Sequence, residues 1–177
     1  MIFFDAQRDI RRAYVGGGPG VLVSAIIWLA AALTQHSRGT AFAFAVLFFG
    51  GMLIFPLSTL VSRAVFHREK EALGNPLGMT ALESTIAMIG GLFAAWLFLD
   101  SKPALVFPLA AIAVGTHYAV FKTVYGDSLF WALGAIITAI GLLEILIAPV
   151  PGGVPLLVAA VEFIFGIILT LRAVRKE

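Results

Sequence analysis

"VPLLVAAVEFIFGIILTL", Val154 to Leu171, holds one ionisable side chain, Glu162, among eighteen residues. As a helix it would be about 27 Å long at 1.5 Å per residue, close to the roughly 30 Å of hydrocarbon in a bilayer. Its apolar residues are not confined to one stripe, so such a helix is apolar all round and needs a lipid or protein surround on every side. Five more stretches qualify as spans of this kind. They run from about Val15 to Thr34, Thr40 to Ser62, Met79 to Leu99, Pro103 to Phe121 and Ser128 to Ala148.

Composition points the same way. The chain is 60% hydrophobic and 12% charged, about half the charged share of a soluble domain. Too little polar surface remains to cover a globule in water, so the exterior is read as lipid-facing. β-Barrel strands would alternate apolar and polar over about ten residues, and these runs are continuous. The expected fold is therefore all-α: a polytopic integral membrane protein, one compact bundle of six transmembrane helices over residues 1–177. The opening "MIFFDAQRDIRRAY" is too charged to begin a cleavable signal peptide, and the apolar run behind it reads as a retained first span.

Charge sets the expected orientation. With six spans, Arg8, Arg11, Arg12, Arg63, Arg68, Lys70, Lys122, Arg172, Arg175 and Lys176 fall on one side, and only Arg38 and Lys102 on the other. By the positive-inside rule the basic side, with both termini, is cytoplasmic. A net charge of +2 gives no reason to expect nucleic-acid binding. The absence of cysteine excludes disulfides and thiolate metal sites. Six spans can form two inverted halves of three, but aligning the halves gives only scattered small residues and one loosely matched glutamate.

Ionisable groups within a span are costly and mark candidate sites. Glu162 falls near the midplane, with Ala159 and Gly166 on its face; small residues favour close helix packing, so it is expected to point into the bundle. It reads either as a proton or cation site or as a hydrogen-bonded structural acid. Glu144 lies about one turn from the outer end of the fifth span and reads as a headgroup-level or vestibule residue. Glu83 opens the third span, where the helix dipole favours a carboxylate. Ala87, Gly90, Gly91 and Ala94 share its face and are expected to form a helix–helix seam. His117, near the inner end of the fourth span, falls level with Glu83 and Arg63. Together these three would form an inner-rim group able to bind an anion or relay protons, or a structural network. Pro56 and Pro108 lie inside spans and are expected to break them, which suits either a transport cavity or simple packing. No zinc-protease or nucleophile-elbow pattern is present, so no catalytic residue, metal site or cofactor is expected.

The glycines of "YVGGGPGVLVSAIIWL", Tyr14 to Leu29, do not fit a dinucleotide fingerprint: Val21 stands where the third glycine would be, and a charged segment precedes them. Gly16, Gly17, Gly18 and Gly20 instead read as a helix start at the inner boundary, with Pro19 in the first turn. They should be in close contact with the second-to-third loop or another part of the inner rim.

Taken in order, "YVGGGPGVLVSAIIWL", "FGGMLIFPLS", "GNPLGMTALEST" and "HYAVFKTVYG" give a pattern that resembles a family of small bacterial membrane proteins, domain of unknown function 7010. The resemblance covers Tyr14 to about Ile168. It implies a six-helix inner-membrane protein and no particular activity. Three readings follow. The first is a transporter or channel for a small solute or ion. The second is a non-transporting scaffold within the lipid bilayer, acting as a homo-oligomer or with a membrane partner protein. The third is an intramembrane enzyme acting on lipid. A water-filled route to Glu162 would favour the first, and a sealed carboxyl the second.

Overall fold

The computed structural model describes residues 2–175, and Lys176 of the basic tail lies outside them. It is all-helical there: α1 (Phe3–Ala13), α2 (Gly18–Arg38), α3 (Thr40–Gly51), α4 (Ile54–Ala64), α5 (Pro76–Trp96), α6 (Val106–Tyr125), α7 (Leu129–Leu146) and α8 (Val154–Arg175). Short 3₁₀ turns, Val15–Gly17 and Pro103–Leu105, lead into α2 and α6. Five helical segments are long and apolar enough to cross a membrane, and α3 with α4 forms a bent pair that qualifies when taken together.

The bend, 47°, falls at Met52 and Leu53, ahead of Pro56. Proline has no N–H to bond four residues back, and its ring crowds the carbonyl at that position. The residue four before Pro56 is Met52, so the helix breaks there and restarts with Pro56 in the first turn of α4. Pro108 behaves differently from expectation. It lies in the first turn of α6, where its N–H would have had no partner anyway, and it breaks nothing.

Two seams of glycine hold the bundle. Along α6 and α7, a Cβ on Gly134 would come within 2.5 Å of the Gly115 carbonyl oxygen, and one on Gly141 within 2.5 Å of the Pro108 carbonyl oxygen. Along α2 and α8, a Cβ on Gly18 would lie 2.6 Å from the Thr170 nitrogen, and one on Gly166 3.0 Å from the Leu22 nitrogen. Only residues without side chains permit backbones this close, which is how helices pack where no hydrophobic effect draws them together. Trp28, Phe107, Phe130, Leu133 and Ile137 fill the core between the seams.

The seam expected on α5 does not form. Gly91 packs on Ala113, but a Cβ on Gly90 would meet nothing, and Ala87 and Ala94 are exposed. α5 reaches α6 along the edge carrying Gly91, Leu92 and Ala95, so the rest of its small-residue stripe faces outward.

The charged segments gather at one end. α1 lies there with Ala6, Ile10 and Ala13 buried. Its side chains tie together segments far apart in sequence. Gln7 donates to the Thr123 carbonyl (2.6 Å), Arg11 to that of Tyr125 (2.9 Å) and Arg12 to that of Lys70 (3.0 Å). Asn75 caps α5, its side chain accepting from the Leu77 N–H, and donates to the Ala6 carbonyl and to Asp9. At the same end Arg172 of α8 pairs with Asp127 at 3.5 Å.

Candidate functional site

α2, α6 and α8 bring three polar side chains together inside the bundle. Glu162 stands eight residues into α8, about 12 Å from its start at Val154, and is completely buried. The Tyr118 hydroxyl, from α6, donates to Glu162 Oε1 at 3.0 Å. Ser24 of α2, also buried, is close enough to interact with both. Gly166, one turn further along α8, presses on Leu22 and holds this face of α8 against α2. The second carboxyl oxygen, Oε2, is buried with no hydrogen-bond partner. A buried polar atom without a partner costs about 1–3 kcal/mol, so this oxygen is the uncommitted acceptor of the group. Chemically, the carboxyl can hold a proton at Oε2 while Tyr118 fixes its orientation.

Tyr118 was hidden in the sequence behind its neighbour. Successive helical residues point about 100° apart, so His117 and Tyr118 serve different faces. Tyr118 enters the core, where its ring stacks on Phe130 with centroids 6.4 Å apart. His117 turns towards α5, where its Nδ1 meets the Ser84 hydroxyl at 2.8 Å and its ring lies edge-on to Phe121 at 4.4 Å.

The expected inner-rim group is not assembled. Ser84, not Glu83, meets His117; Glu83, one position earlier and about 100° round α5, is exposed. Arg63, at the end of α4, is also exposed and lies within electrostatic reach of Tyr14. Glu144 has a local partner: its Oε2 accepts the Val150 N–H at 2.5 Å and ties down the turn after α7.

The cluster of glycines at the start of α2 meets α8 and the α6–α7 corner rather than the 63–78 loop. Gly16 approaches Ala173, Gly17 approaches Tyr125 and Phe130, and Gly18 lies on Thr170. Gly20 has only Ser58 within 4 Å, at 3.9 Å. Gly16 and Gly17 have φ of +63° and +79°, the left-handed region glycine enters freely. Val15 shares it at +49°, an outlier for a β-branched residue, and is fully buried.

A second polar cluster, unforeseen from sequence, fastens α1 to the chain between α4 and α5. Asp9 accepts from the Ala72 N–H (2.8 Å), Asn75 (2.9 Å) and Arg12 (3.1 Å). Partial burial works against its charge, but these three donors outweigh it and hold the carboxyl below its ordinary value. Tyr14 donates to Glu71 at 2.8 Å, and burial together with that acceptor pushes the phenol well up. The signal available in sequence was the Asn75-Pro76 pair, a helix-start signature.

Two cavities stand out among the described residues. One, of about 10 Å³, has room for a single water between Arg11, Asp127 and Arg172. The other, of about 280 Å³, is an apolar groove between α3 and α5. Neither is lined by Glu162. Among the described residues no three acidic or histidine side chains converge as a metal site would need. No curated protein and no solved structure matches the chain. The model of one family of unknown function, DUF7010, matches residues 3–172, and the chain belongs to that family.

Proposed function

We propose that this chain is a six-span protein of a bacterial inner membrane, one transmembrane domain over residues 1–177. In this reading Glu162 carries a proton or small cation during transport of a small solute or ion. The observation that carries the reading is the partnerless Oε2 of a fully buried carboxyl. A purely structural position in hydrocarbon is served more cheaply by an apolar residue, because an unsatisfied buried acceptor costs stability without return. The span count is supported by geometry. α1, the 66–75 segment, the 123–127 corner and Arg172 meet at one end. An even number of crossings is needed to return the chain there, so the bent α3–α4 pair counts as one span. The excess of basic residues at that end supports a cytoplasmic position for both termini.

The test is ion flux in proteoliposomes, with an internal pH dye and imposed proton, sodium and potassium gradients. The parent should dissipate one of these gradients and Glu162→Gln should not. Equal flux in both would remove Glu162 from the mechanism. Failure of the parent with every gradient would overturn the transport reading.

A second reading, a non-transporting scaffold or partner subunit, is favoured by the complete burial of Glu162 away from both cavities. It expects no flux. It also expects a reproducible membrane partner or homo-oligomer, cross-linked in native membranes, that survives Glu162→Gln.

A further inference from the structure

The groove between α3 and α5 is large for its surroundings. Its volume of about 280 Å³ is nearly twice that of a cavity of about 150 Å³ that holds benzene. By that comparison it takes on the order of a dozen chain carbons. Phe44 and Phe48 line it from α3, and Phe93 and Trp96 from α5. Across it the rings of Phe48 and Phe93 approach with centroids 5.4 Å apart. From Ala41, at its mouth, to Phe49 the groove follows α3 for eight residues, about 12 Å of depth. It is open on the side where Phe49, Phe93 and Trp96 remain more than half exposed. The opening therefore faces hydrocarbon.

Charge marks the mouth. Ala41 and Leu99 line the groove at the sparsely basic end of the bundle. Arg38 lies three residues before Ala41, and Lys102 three residues after Leu99. These are the two basic residues that the span pattern leaves at that end. Both are exposed, and neither makes an ion pair among the described residues. Basic residues are disfavoured on the side away from the positive cluster, so finding each within three residues of a position that lines the groove calls for a reason. Asp100, also exposed, stands between Leu99 and Lys102 and offsets part of that charge.

We propose that this groove is a binding site for an anionic phospholipid, one acyl chain lying between Phe44, Phe48, Phe93 and Trp96 and the headgroup phosphate at Arg38 and Lys102. The apolar aromatic lining suits an acyl chain, and the two cations select the headgroup. Each interfacial basic residue favours an anionic headgroup by about fivefold. Two give about 25-fold, and Asp100 lowers this towards about fivefold.

Trp96 reports on the site directly. Replacing exposed Trp131 by Phe leaves Trp96 in the groove and Trp28, only 1% exposed, as an internal reference. The full chain is placed in phosphatidylcholine nanodiscs doped with phosphatidylglycerol or phosphatidylcholine carrying brominated chains, which quench tryptophan on contact. Brominated phosphatidylglycerol should quench Trp96 at a mole fraction about 5- to 25-fold lower than brominated phosphatidylcholine. Arg38→Gln with Lys102→Gln should bring the two lipids together, and Ala45→Phe, which fills the groove, should weaken quenching by both. Native mass spectrometry of the unsubstituted chain supplies a second readout: retained phosphatidylglycerol, released by the charge-removing pair. Equal quenching by the two lipids in the parent would make the groove an ordinary lipid-facing surface and overturn the proposal. Absence of quenching by either, with a dimer in the mass spectrum, would place a second copy of the chain there and overturn it too.

Discussion

Gly18 and Gly20 lie two residues apart in the first turn of α2, and the same substitution should act on them with opposite sign. At Gly18 an added Cβ would sit 2.6 Å from the Thr170 nitrogen and 2.9 Å from its Cα. Ordinary carbon contacts are about 3.5–4.0 Å, so α2 and α8 must part by about 1 Å, and these are backbone atoms that no rotamer change can move. Overpacking of this kind costs about 1–3 kcal/mol, and a 1 Å gap along the rest of the seam forfeits a quarter to a half of its dispersion contacts. Gly18→Ala should therefore destabilise by about 2–3 kcal/mol. At Gly20 the nearest atoms belong to Ser58 at 3.9 Å. There alanine should fit and stabilise by up to about 1 kcal/mol through lower backbone freedom in the unfolded chain. The assay is reversible unfolding in mixed detergent micelles, followed by the fluorescence of buried Trp28. The two variants should differ by about 3 kcal/mol. If Gly18→Ala matches or exceeds Gly20→Ala in stability, α2 and α8 are not in backbone contact, and the account of how Glu162 is enclosed fails with it.

The remaining expectations concern individual polar groups. Tyr118→Phe should destabilise by about 1–3 kcal/mol, since it removes the donor to Glu162 Oε1 and leaves only Ser24 beside the carboxyl. Adding Glu162→Leu to it should recover most of that loss, because removing both partners of a buried hydrogen bond is close to neutral; an additive double-mutant cycle would contradict the pairing. Asp9 has a carboxyl held below its ordinary value of 3.8 in the folded protein. The stability it contributes is complete at neutral pH, starts to fall near 3.8, and is gone once the pH drops below the folded value. Protection of residues 3–13 from hydrogen exchange, taken relative to the intrinsic rate at each pH, should therefore fall in that acid range, and Asp9→Asn should show the lower protection already at pH 7. Glu144→Ala should raise exchange at Val150 and its neighbours in the turn with little effect on the global unfolding midpoint; a large global loss would mean that Glu144 supports more than this turn.

How much was legible before the fold was known depends on the range of the forces involved. The spans were legible because a lipid surround demands unbroken apolar chain, and that demand is local to each segment. The bend at Met52 was legible in principle, since the carbonyl four residues before Pro56 must lose its bond. Pro108 misled because the start of α6, and with it the harmlessness of a first-turn proline, is set by the 3₁₀ turn before it. Small residues on α5 show that a helix can be approached closely, but not which approach is used: Gly91 receives Ala113, while Gly90 has nothing within 4 Å among the described residues. The same limit hid the partner of Glu162. Its depth follows from counting along α8, but finding Tyr118 across from it requires the relative height of α6 and α8, fixed by glycine seams to their other neighbours. His117 looked like the functional member of the pair because an unperturbed imidazole, as a residue type, titrates near neutrality. The rotation of α6 decides otherwise, giving His117 to Ser84 and Tyr118 to the buried carboxyl. For a membrane bundle, then, depth can be counted from sequence while azimuth has to come from packing, and a buried polar site requires both.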